Sequence, residues 1–396
     1  MEKLELKDID VAGKRVLVRV DFNVPMKEGK ITDETRITAA LPTLLSLINT
    51  DAKIILVTHL GRPEVGSIAD RKTLSTEPIA VALSRKLGTR VAHVNDCIGE
   101  SVQSAVESLR NGEVLLLENV RFYAEEIEND AVFAQQLASL ADVYVNDAFG
   151  TAHRAHASTE GVTHYLNPCV AGLLLARETY YLSTSLENPA RPYVAILGGA
   201  KISDKITLIE TLLEKADKLL IGGGMAYTFL SAVGLSIGNS LVETEKLDVA
   251  GSLVDRSDFA DTVLLPVDHV VGQDFDPETE SQIIGERDIP DGWQGLDIGP
   301  ETVSVFGEQI AVAKTVVWNG PLGVYEFEKF AQGTIAVAKQ IADSESVSII
   351  GGGDCVAAIQ QAGVADRMTH ISTGGGASLE FLEGKPLPGI VALTDN

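Results

Sequence analysis

Charged and amide side chains follow several apolar segments in the first half of the sequence. The segment RVDFN places Arg19, Asp21 and Asn23 at such a position, and Arg36 lies a little further along. The other residues of this kind are His59, Arg62, Arg121, His153, Arg154 and His156. Because arginine captures phosphate or carboxylate through two parallel hydrogen bonds, the group predicts a pocket for a small, strongly anionic molecule. A plain ion pair with one of the 56 acidic residues remains open for any single arginine.

Glycines replace these side chains in the second half of the sequence. The apolar segments there end in Gly198-Gly199, Gly222–Gly224, Gly320, Gly351–Gly353 and Gly374–Gly376. Glycine lets backbone N–H groups approach an anion closely, and a helix that begins just afterwards adds its positive end. Tight turns would explain one such loop, but the repetition favours a nucleotide site. The common dinucleotide and P-loop fingerprints are both absent, so this site lies outside those two classes.

Two lysines and two carboxylates accompany the glycine segments. In GGAKISDK, the spacing of Lys201 and Lys205 predicts one helix face near a helix start, where two cations are favourable mainly beside an anion. Asp354 follows GGG directly and is either a helix N-cap or a carboxylate for Mg²⁺ beside phosphates. Glu326 is a weaker candidate that could accept hydrogen bonds from a ribose.

These two groups of residues suggest one kind of reaction. Neither half contains an obvious Ser–His–Asp relay or cysteine nucleophile. Phosphoryl transfer needs little covalent chemistry from the protein, because positioning and charge stabilisation carry the catalysis. Two half-sites on separate domains would have to approach each other to bring donor and acceptor together and to exclude water.

Short apolar runs alternate with amphipathic segments along the whole chain. Such alternation predicts parallel sheets that are covered by helices on both faces, with the carboxyl ends of the strands at one edge where ligands bind. The predicted strands are 14–20, 53–59, 113–119, 142–147, 193–199, 218–224, 262–268, 315–320, 347–353 and 369–376.

The domain boundary is predicted near a helix and a turn in the middle of the chain. Residues 170–187 read as one helix, and Asn188-Pro189 follows it as a turn. We therefore expect an N-terminal domain at 1–172, an interdomain helix at 173–188 and a C-terminal domain at 189–378. The tail, about 379–396, is too apolar to be free and is expected to pack back on the N-terminal domain.

Composition excludes several classes of protein. The chain has 396 residues, which suggests about two or three domains. Its net charge of −24 argues against a broad nucleic-acid surface. Three widely spaced cysteines give no zinc or disulfide pattern, and neither a secretory signal nor an apolar run of membrane-spanning length is present. A cytoplasmic protein with small-molecule partners, no nucleic acid and no membrane is expected.

Nine longer motifs identify a family. In order, the sequence contains RVDFNVP, HLGRP, LENVRF, NDAFGTAHRAHAS, GGAKISDK, GLDIGP, WNGPLGVYEF, GGGD and STGGGAS. All of them resemble phosphoglycerate kinase, and they span residues 14 to 385. The resemblance implies an α/β fold of two Rossmann-like domains joined by a helix and a hinge. It also implies a monomeric, Mg²⁺-dependent enzyme of glycolysis that transfers phosphate from 1,3-bisphosphoglycerate to ADP, giving 3-phosphoglycerate and ATP.

The resemblance assigns roles residue by residue. The 3-phosphoglycerate site is implied to comprise Asp21, Phe22, Asn23, Arg36, His59, Leu60, Gly61, Arg62, Arg121 and Arg154. The nucleotide site is implied to comprise Lys205, Gly295, Asn319, Glu326, Gly352, Gly353, Asp354 and Cys355, with Asp354 as the metal ligand. The residues implied to stabilise the transferring phosphoryl group are Arg36, Lys201, Gly375 and Gly376.

Cys355 departs from the family pattern, which commonly has Thr or Ser after GGGD. A thiol is a poorer hydrogen-bond donor and acceptor than a hydroxyl, which puts a side-chain contact to the nucleotide in doubt. At a helix start this thiol is either a reactive group with a lowered pKa or an inert buried side chain.

Two other classes of protein stay open at this point. A nicotinamide-dependent dehydrogenase also uses doubly wound sheets, although the absent dinucleotide fingerprint counts against it. A non-catalytic hinged binding protein would explain the arginine pocket, although that class is usually exported and carries a signal.

Overall fold

Continuous apolar segments form the strands of two separate six-stranded sheets. The computed structural model of the chain describes residues 3–285 and 287–396. The chain divides into two compact units. The first unit runs to Tyr180 and includes Pro386–Asn396, and the second unit is Tyr181–Lys385. This division falls inside the connecting helix rather than at its two ends.

The first unit contains eight strands among the described residues. They are β1 (Arg15–Arg19), β2 (Met26–Lys27), β3 (Lys30–Ile31), β4 (Lys53–Val57), β5 (Val91–His93), β6 (Val114–Leu116), β7 (Val143–Asn146) and β8 (Cys169–Ala171). Six of them form a parallel sheet in the order β5-β6-β4-β1-β7-β8, and β2 and β3 pair separately as an antiparallel hairpin. The sheet extends from β1 in two directions, with β4, β6 and β5 on one side and β7 and β8 on the other. Ligands bind at such a switch point in open α/β sheets.

Among the described residues, six α-helices of the first unit precede the connecting helix. They are α1 (Thr35–Asn49), α2 (Ile68–Thr73), α3 (Glu77–Leu87), α4 (Glu100–Glu107), α5 (Ala124–Ile127) and α6 (Ala131–Ala138). The connecting helix α7 is Leu173–Glu187. The prediction of one helix from residue 170 was wrong at its start, because Val170 and Ala171 pair with β7 as part of β8.

The second unit repeats the parallel architecture. Its strands are β9 (Tyr193–Leu197), β10 (Lys218–Ile221), β11 (Val263–Leu264), β12 (His269–Gly272), β13 (Ser281–Ile284), β14 (Gln294–Ile298), β15 (Thr315–Asn319), β16 (Val347–Gly351) and β17 (His370–Ile371). The parallel sheet has the order β11-β10-β9-β15-β16-β17, so the switch point lies between β9 and β15. Together the two sheets confirm the predicted α/β fold class.

The helices of the second unit cover this sheet. They are α8 (Ile206–Lys215), α9 (Gly224–Ala232), α10 (Leu247–Val254), α11 (Phe259–Thr262), α12 (Pro300–Val312), α13 (Gln332–Asp343), α14 (Gly353–Gln361) and α15 (Gly376–Leu382). Fully buried Trp318 of β15 belongs to the apolar core between sheet and helices, and its indole N–H donates to the carbonyl of Gly320 at 2.8 Å.

A small antiparallel sheet and the tail complete the fold. Strands β13-β12-β14 pair antiparallel, an element that the sequence analysis did not predict. The tail forms α16 (Pro388–Val391), and the side-chain amide of Asn146 in β7 donates to the carbonyl of Gly389 at 2.9 Å. Within the described ranges, the helices are all too short or too polar to span a membrane.

Candidate active-site residues on the two units

The end of β1 places the first set of predicted residues. The Asp21 carboxylate accepts a hydrogen bond from the Arg36 guanidinium at 2.5 Å, and Arg36 is the second residue of α1. The side-chain oxygen of Asn23 accepts from the backbone N–H of Gly61 at 2.8 Å. Phe22 is buried, and its backbone N–H donates to the hydroxyl of Thr58 at 3.0 Å. The end of β1, the start of α1 and the loop after β4 therefore meet at the switch point.

The loop after β4 is held by Asn119, which the sequence analysis did not single out. The Asn119 side-chain oxygen accepts from the backbone N–H groups of Leu60 and Arg121, both at 3.1 Å. Its amide nitrogen donates to the carbonyl of Leu60 at 2.7 Å, and the Arg121 guanidinium donates to the carbonyl of Gly61 at 2.7 Å. The predicted loop 59–62 and Arg121 thus form one connected unit around a buried asparagine.

Positive charge is concentrated among these residues. Burial, together with the charges of Arg154, Arg19 and Arg62, lowers the pKa of Arg121 to about 10. Burial and the nearby arginines lower the pKa of His156 to about 4. Guanidinium groups that repel one another in this way favour an anionic ligand between them. The structure therefore brings together the side chains predicted to bind 3-phosphoglycerate.

Lys205 lies at the switch point of the second unit. Its ammonium group donates to the carbonyl of Gly198 at 2.6 Å, to the carbonyl of Asn319 at 2.8 Å and to the side-chain oxygen of Asn319 at 2.6 Å. Burial lowers the pKa of Lys205 to about 8. The predicted shared helix face with Lys201 was wrong, because α8 begins only at Ile206, so both lysines precede the helix. Lys201 is exposed in the loop after β9.

The glycine segments differ in what their backbone N–H groups do. The N–H groups of Gly198, Gly199, Gly222 and Gly223 all donate to backbone carbonyls of neighbouring segments. A Cβ on Gly198 would lie 2.0 Å from the carbonyl oxygen of Pro321, so glycine is required there for close backbone packing. The expectation of open amides was therefore wrong at Gly198, Gly199, Gly222 and Gly223. The N–H of Gly224, at the start of α9, has no acceptor among the described residues.

The glycine segments that precede α14 and α15 have backbone N–H groups that are free to bind a ligand. Val356 makes the first backbone hydrogen bond of α14, to Gly352, and no acceptor for the amides of 353–355 is present among the described residues. At the start of α15, Gly374 donates to the Ser372 hydroxyl, whereas the amides of Gly375 and Gly376 have no acceptor in the described chain. Each start combines open N–H groups with a positive helix end.

A cavity of about 470 Å³ lies beside the start of α14. Three predicted residues, Gly295, Glu326 and Asp354, line it. Gly199, Gly223 and Gly224 of the predicted glycine segments line it as well. The other lining residues, which were not assigned to the nucleotide site from the sequence, are Ala200, Tyr227, Asn239, Leu241, Phe275, Gln294, Leu296, Pro321, Leu322, Gly323, Val324 and Tyr325. The mixed apolar walls and polar rim suit a purine nucleotide. A Cβ on Gly295 would overlap the Tyr227 hydroxyl, so the wall requires glycine at this position.

The remaining predicted nucleotide residues lie at the start of α14 and at the end of β15. They are Gly352, Cys355 and Asn319. A Cβ on Gly352, whose φ is +88°, would lie 3.2 Å from the Asn319 amide nitrogen. Burial raises the pKa of the Cys355 thiol to about 12, and the nearby N–H of Gly320 opposes this shift. The thiol is therefore the inert buried group, and the alternative of a reactive thiolate was wrong.

Asp354 has the chemistry of a magnesium ligand that is completed by substrate phosphates. It is exposed, it is the second residue of α14, and it lines the cavity. The described residues contain no cluster of three or more His, Cys, Asp or Glu side chains that could hold a metal alone. A lone carboxylate fits Mg²⁺, which commonly takes one or two protein carboxylates and its remaining ligands from phosphates and water.

These features together are typical of an α/β phosphotransferase whose two substrates bind on separate units. A family model described as "Phosphoglycerate kinase" matches residues 6–385. The chain belongs to the phosphoglycerate kinase family, whose members are phosphotransferases with a carboxyl group as acceptor. The dehydrogenase and the exported binding protein are thereby set aside.

Relatives and solved structures agree over nearly the whole chain. The phosphoglycerate kinase of Rippkaea orientalis is 57% identical over 400 residues, with 99% of this chain and 98% of that protein covered. The protein of that name from Clostridium botulinum is 54% identical, with 99% of each chain covered. Solved phosphoglycerate kinases match with TM-scores of 0.91 (Coxiella burnetii, 43% identity) and 0.84 (Pyrococcus horikoshii, 36%), each covering 98% of both chains.

Proposed function

We propose that this chain catalyses reversible, Mg²⁺-dependent phosphoryl transfer from 1,3-bisphosphoglycerate to ADP. The products are 3-phosphoglycerate and ATP, and the reaction belongs to glycolysis. The observation that carries the proposal is the arginine and histidine cluster at the β1 switch point, combined with near-complete coverage by the family. A small, strongly anionic acceptor is the ligand that this cluster suits best.

The acceptor is proposed to bind on the first unit through two kinds of contact. The cationic side chains of Arg62, Arg121 and Arg154 hold its phosphate, because Arg62 and Arg154 lie close enough to Arg121 to lower its pKa. Asp21 and Asn23 orient the single hydroxyl group, with His59 as a further hydrogen-bond partner. The loop residues 60 and 61 supply the backbone that Asn119 fixes in place.

The nucleotide is proposed to bind on the second unit. Its base occupies the cavity beside Gly295, and Glu326 at the cavity rim accepts a hydrogen bond from the ribose. Its phosphates lie on the open amides of Gly353 and of Cys355, and Lys205 supplies positive charge at the switch point. Asp354 would hold Mg²⁺, which supplies charge neutralisation for the phosphate oxygens when bound.

Transfer is proposed to be direct and in line after the hinge closes. Arg36 on the first unit and Lys201 with Gly375 and Gly376 on the second would then stabilise the charge that spreads over the moving phosphoryl group. Neither half-site alone carries all of these groups, since the chain distributes them over both units. Closure therefore completes the catalytic set and excludes water from the donor phosphate.

A coupled assay tests this function. The purified chain is supplied with 3-phosphoglycerate and ATP, with and without Mg²⁺, and ADP is detected. We expect ADP formation that depends on both 3-phosphoglycerate and Mg²⁺. ADP that forms equally without 3-phosphoglycerate would show an ATPase instead, and no ADP under any condition would overturn the proposal.

The working state is proposed to be a monomer in the cytoplasm. The support is the family's place in glycolysis, together with three cysteines that are all free and buried. Sedimentation of the purified chain measures the mass directly, and the mass of one chain, 42.2 kDa, is expected.

A further inference from the structure

A buried arginine contacts the imidazole of His59. The His59 side chain follows β4, and the residue is 3% exposed. Its Nδ1 atom lies 3.2 Å from Nη2 of Arg19, the last residue of β1, which is 1% exposed. This is the only hydrogen bond that the His59 ring makes among the described residues. Arg19 is one of the charged residues of the predicted anion pocket, but the family resemblance does not assign it to the 3-phosphoglycerate site.

The chemistry of the guanidinium decides where the histidine proton lies. Arginine remains protonated in proteins and can only donate hydrogen bonds. The Nδ1 atom of His59 must therefore accept, which leaves a neutral ring with its proton on Nε2. The nearest carboxylate, Asp21, lies 3.9 Å from Nδ1 and is too distant to accept a proton from it.

Arg19 is itself fixed in orientation. Its Nε atom donates to the Ser158 hydroxyl at 2.8 Å, and Nη1 donates to the carbonyl of Val20. The Ser158 hydroxyl donates in turn to the carboxylate of Glu126 at 2.6 Å, and the Ser158 N–H donates to the other carboxylate oxygen at 2.8 Å. Glu126 is fully buried. The hydrogen-bonded row Glu126–Ser158–Arg19–His59 thus places a buried carboxyl group behind the arginine and fixes the orientation of the guanidinium.

We propose that Arg19 is a positioning residue that holds His59 as a neutral imidazole with the proton on Nε2, so that Nε2 donates a hydrogen bond to an anionic oxygen of the acceptor. This role rests on the proposed binding of 3-phosphoglycerate at the first unit. It assigns His59 the part of a directional donor, whereas the arginines supply the positive charge.

The charged groups around His59 support the same protonation state. Burial lowers the pKa of His59 well below its usual value, and the charges of Arg19, Arg121, Arg154 and Arg36 lower it further. Asp21 is the facing carboxylate that opposes this effect. Burial and the surrounding positive charge therefore both favour the neutral imidazole.

Nitrogen NMR on the full chain tests the protonation state directly. Protein labelled with ¹⁵N-histidine is recorded in long-range proton–nitrogen spectra between pH 6 and 8, and the His59 signals are assigned by their loss in His59→Gln. We expect a protonated Nε2 and an unprotonated Nδ1 across this range. A doubly protonated ring, or a proton on Nδ1, would overturn the proposal.

Two variants of β1 separate positioning from mere stability. Arg19→Lys shortens the side chain that donates to His59. Arg15→Lys is the matched control, because Arg15 lies on the same strand as Arg19 but pairs with the exposed Asp142. We expect Arg19→Lys to mix the two neutral forms of His59 and to weaken 3-phosphoglycerate binding by about tenfold. ADP binding stays unchanged, and Arg15→Lys changes none of these properties. An unaltered His59 spectrum in folded Arg19→Lys would contradict the role.

Ser158→Ala covers the case in which Arg19→Lys does not fold. It removes the acceptor for Arg19 Nε while keeping the guanidinium, so a smaller change of the His59 spectrum in the same direction is expected. No change in that variant, with Arg19→Lys unfolded, would also reject the proposal. The NMR measurement needs no turnover, so a failure of the coupled assay would be recognised separately from a wrong proton position.

Discussion

The two predicted half-sites use different parts of the polypeptide. On the first unit, side chains meet at the end of β1, and a buried network of Asn119, Arg19 and Ser158 holds them in place. On the second unit, the open groups are backbone amides at the starts of α14 and α15, accompanied by Lys205. A side-chain site is sensitive to residue identity, whereas an amide site depends on the course of the backbone.

This contrast predicts that the largest losses of kcat follow removal of the charged side chains proposed to stabilise the transferring phosphoryl group. Arg36→Ala and Lys201→Ala should each lower kcat by roughly 10²–10³-fold, because removal of one stabilising donor costs about 2.7–4 kcal/mol. Steady-state kinetics with both substrates varied measures the effect.

Arg15→Ala and Lys314→Ala are the matched controls for this pair. Both residues make ion pairs at the surface, away from the predicted ligand residues. Near-normal kcat with only a raised KM in Arg36→Ala or Lys201→Ala would remove that residue from the catalytic set.

The next effect should fall on one half-site alone. Asp21→Ala is expected to weaken 3-phosphoglycerate binding by about 10- to 100-fold, since a hydrogen bond to a charged group contributes about 1.5–3 kcal/mol. ADP affinity should barely change. Calorimetric titration of each ligand measures both, with Asp142→Ala as the control for loss of an exposed Arg–Asp pair. The reverse pattern would show that the half-sites are not separate.

A pH effect should appear only on the nucleotide side. Burial lowers the pKa of Lys205 to about 8, so the side chain is mostly charged at pH 7 and loses its charge as the pH rises through 8. Because phosphates bind the charged form, ADP affinity should decline above pH 8 by at most about tenfold per unit. Lys205→Arg stays charged and should give a flat profile between pH 7 and 9. Parallel profiles for the two proteins would exclude Lys205 as the titrating group.

The smallest change of affinity is expected at Cys355, where the family commonly has Thr or Ser. Cys355→Ser should change nucleotide affinity by less than about tenfold, or ~1.4 kcal/mol, because the proposed contact uses the backbone amide rather than the buried thiol. Titration with ADP measures it, and Cys169→Ser serves as the control for replacing a buried thiol in the other unit. A larger change would mean that the Cys355 side chain itself shapes the phosphate site.

The sequence predicted the parallel strands well because they are buried on both faces. Strands such as 15–19 and 315–319 have an uninterrupted apolar centre, VLV and VVW, which is the pattern of a central parallel strand. The antiparallel strand β13 is mostly exposed and only four residues long, so its sequence carries no comparable pattern. Strand β8 is buried but only three residues long, and its last two residues were read as part of the neighbouring helix.

The candidate site was predictable to the extent that its residues are chemically distinctive. Arginines and Asp354 are recognisable by type, whereas Asn119 acts through four hydrogen bonds that only the folded loop reveals. The glycines were recognised as important, but spacing alone did not distinguish Gly198, required by close packing, from Gly375, whose amide is open. Free and occupied N–H groups look identical in a sequence.

The place of the tail has a consequence for synthesis of the chain. Gly389 accepts a hydrogen bond from Asn146 of β7, and Lys3 donates to the carbonyls of Val391 and Leu393. The ribosome makes these last residues only after the whole second unit. The second unit can therefore fold before residues 386–396 of the first unit have been synthesised. The unit whose synthesis begins first is the one whose residues are completed last.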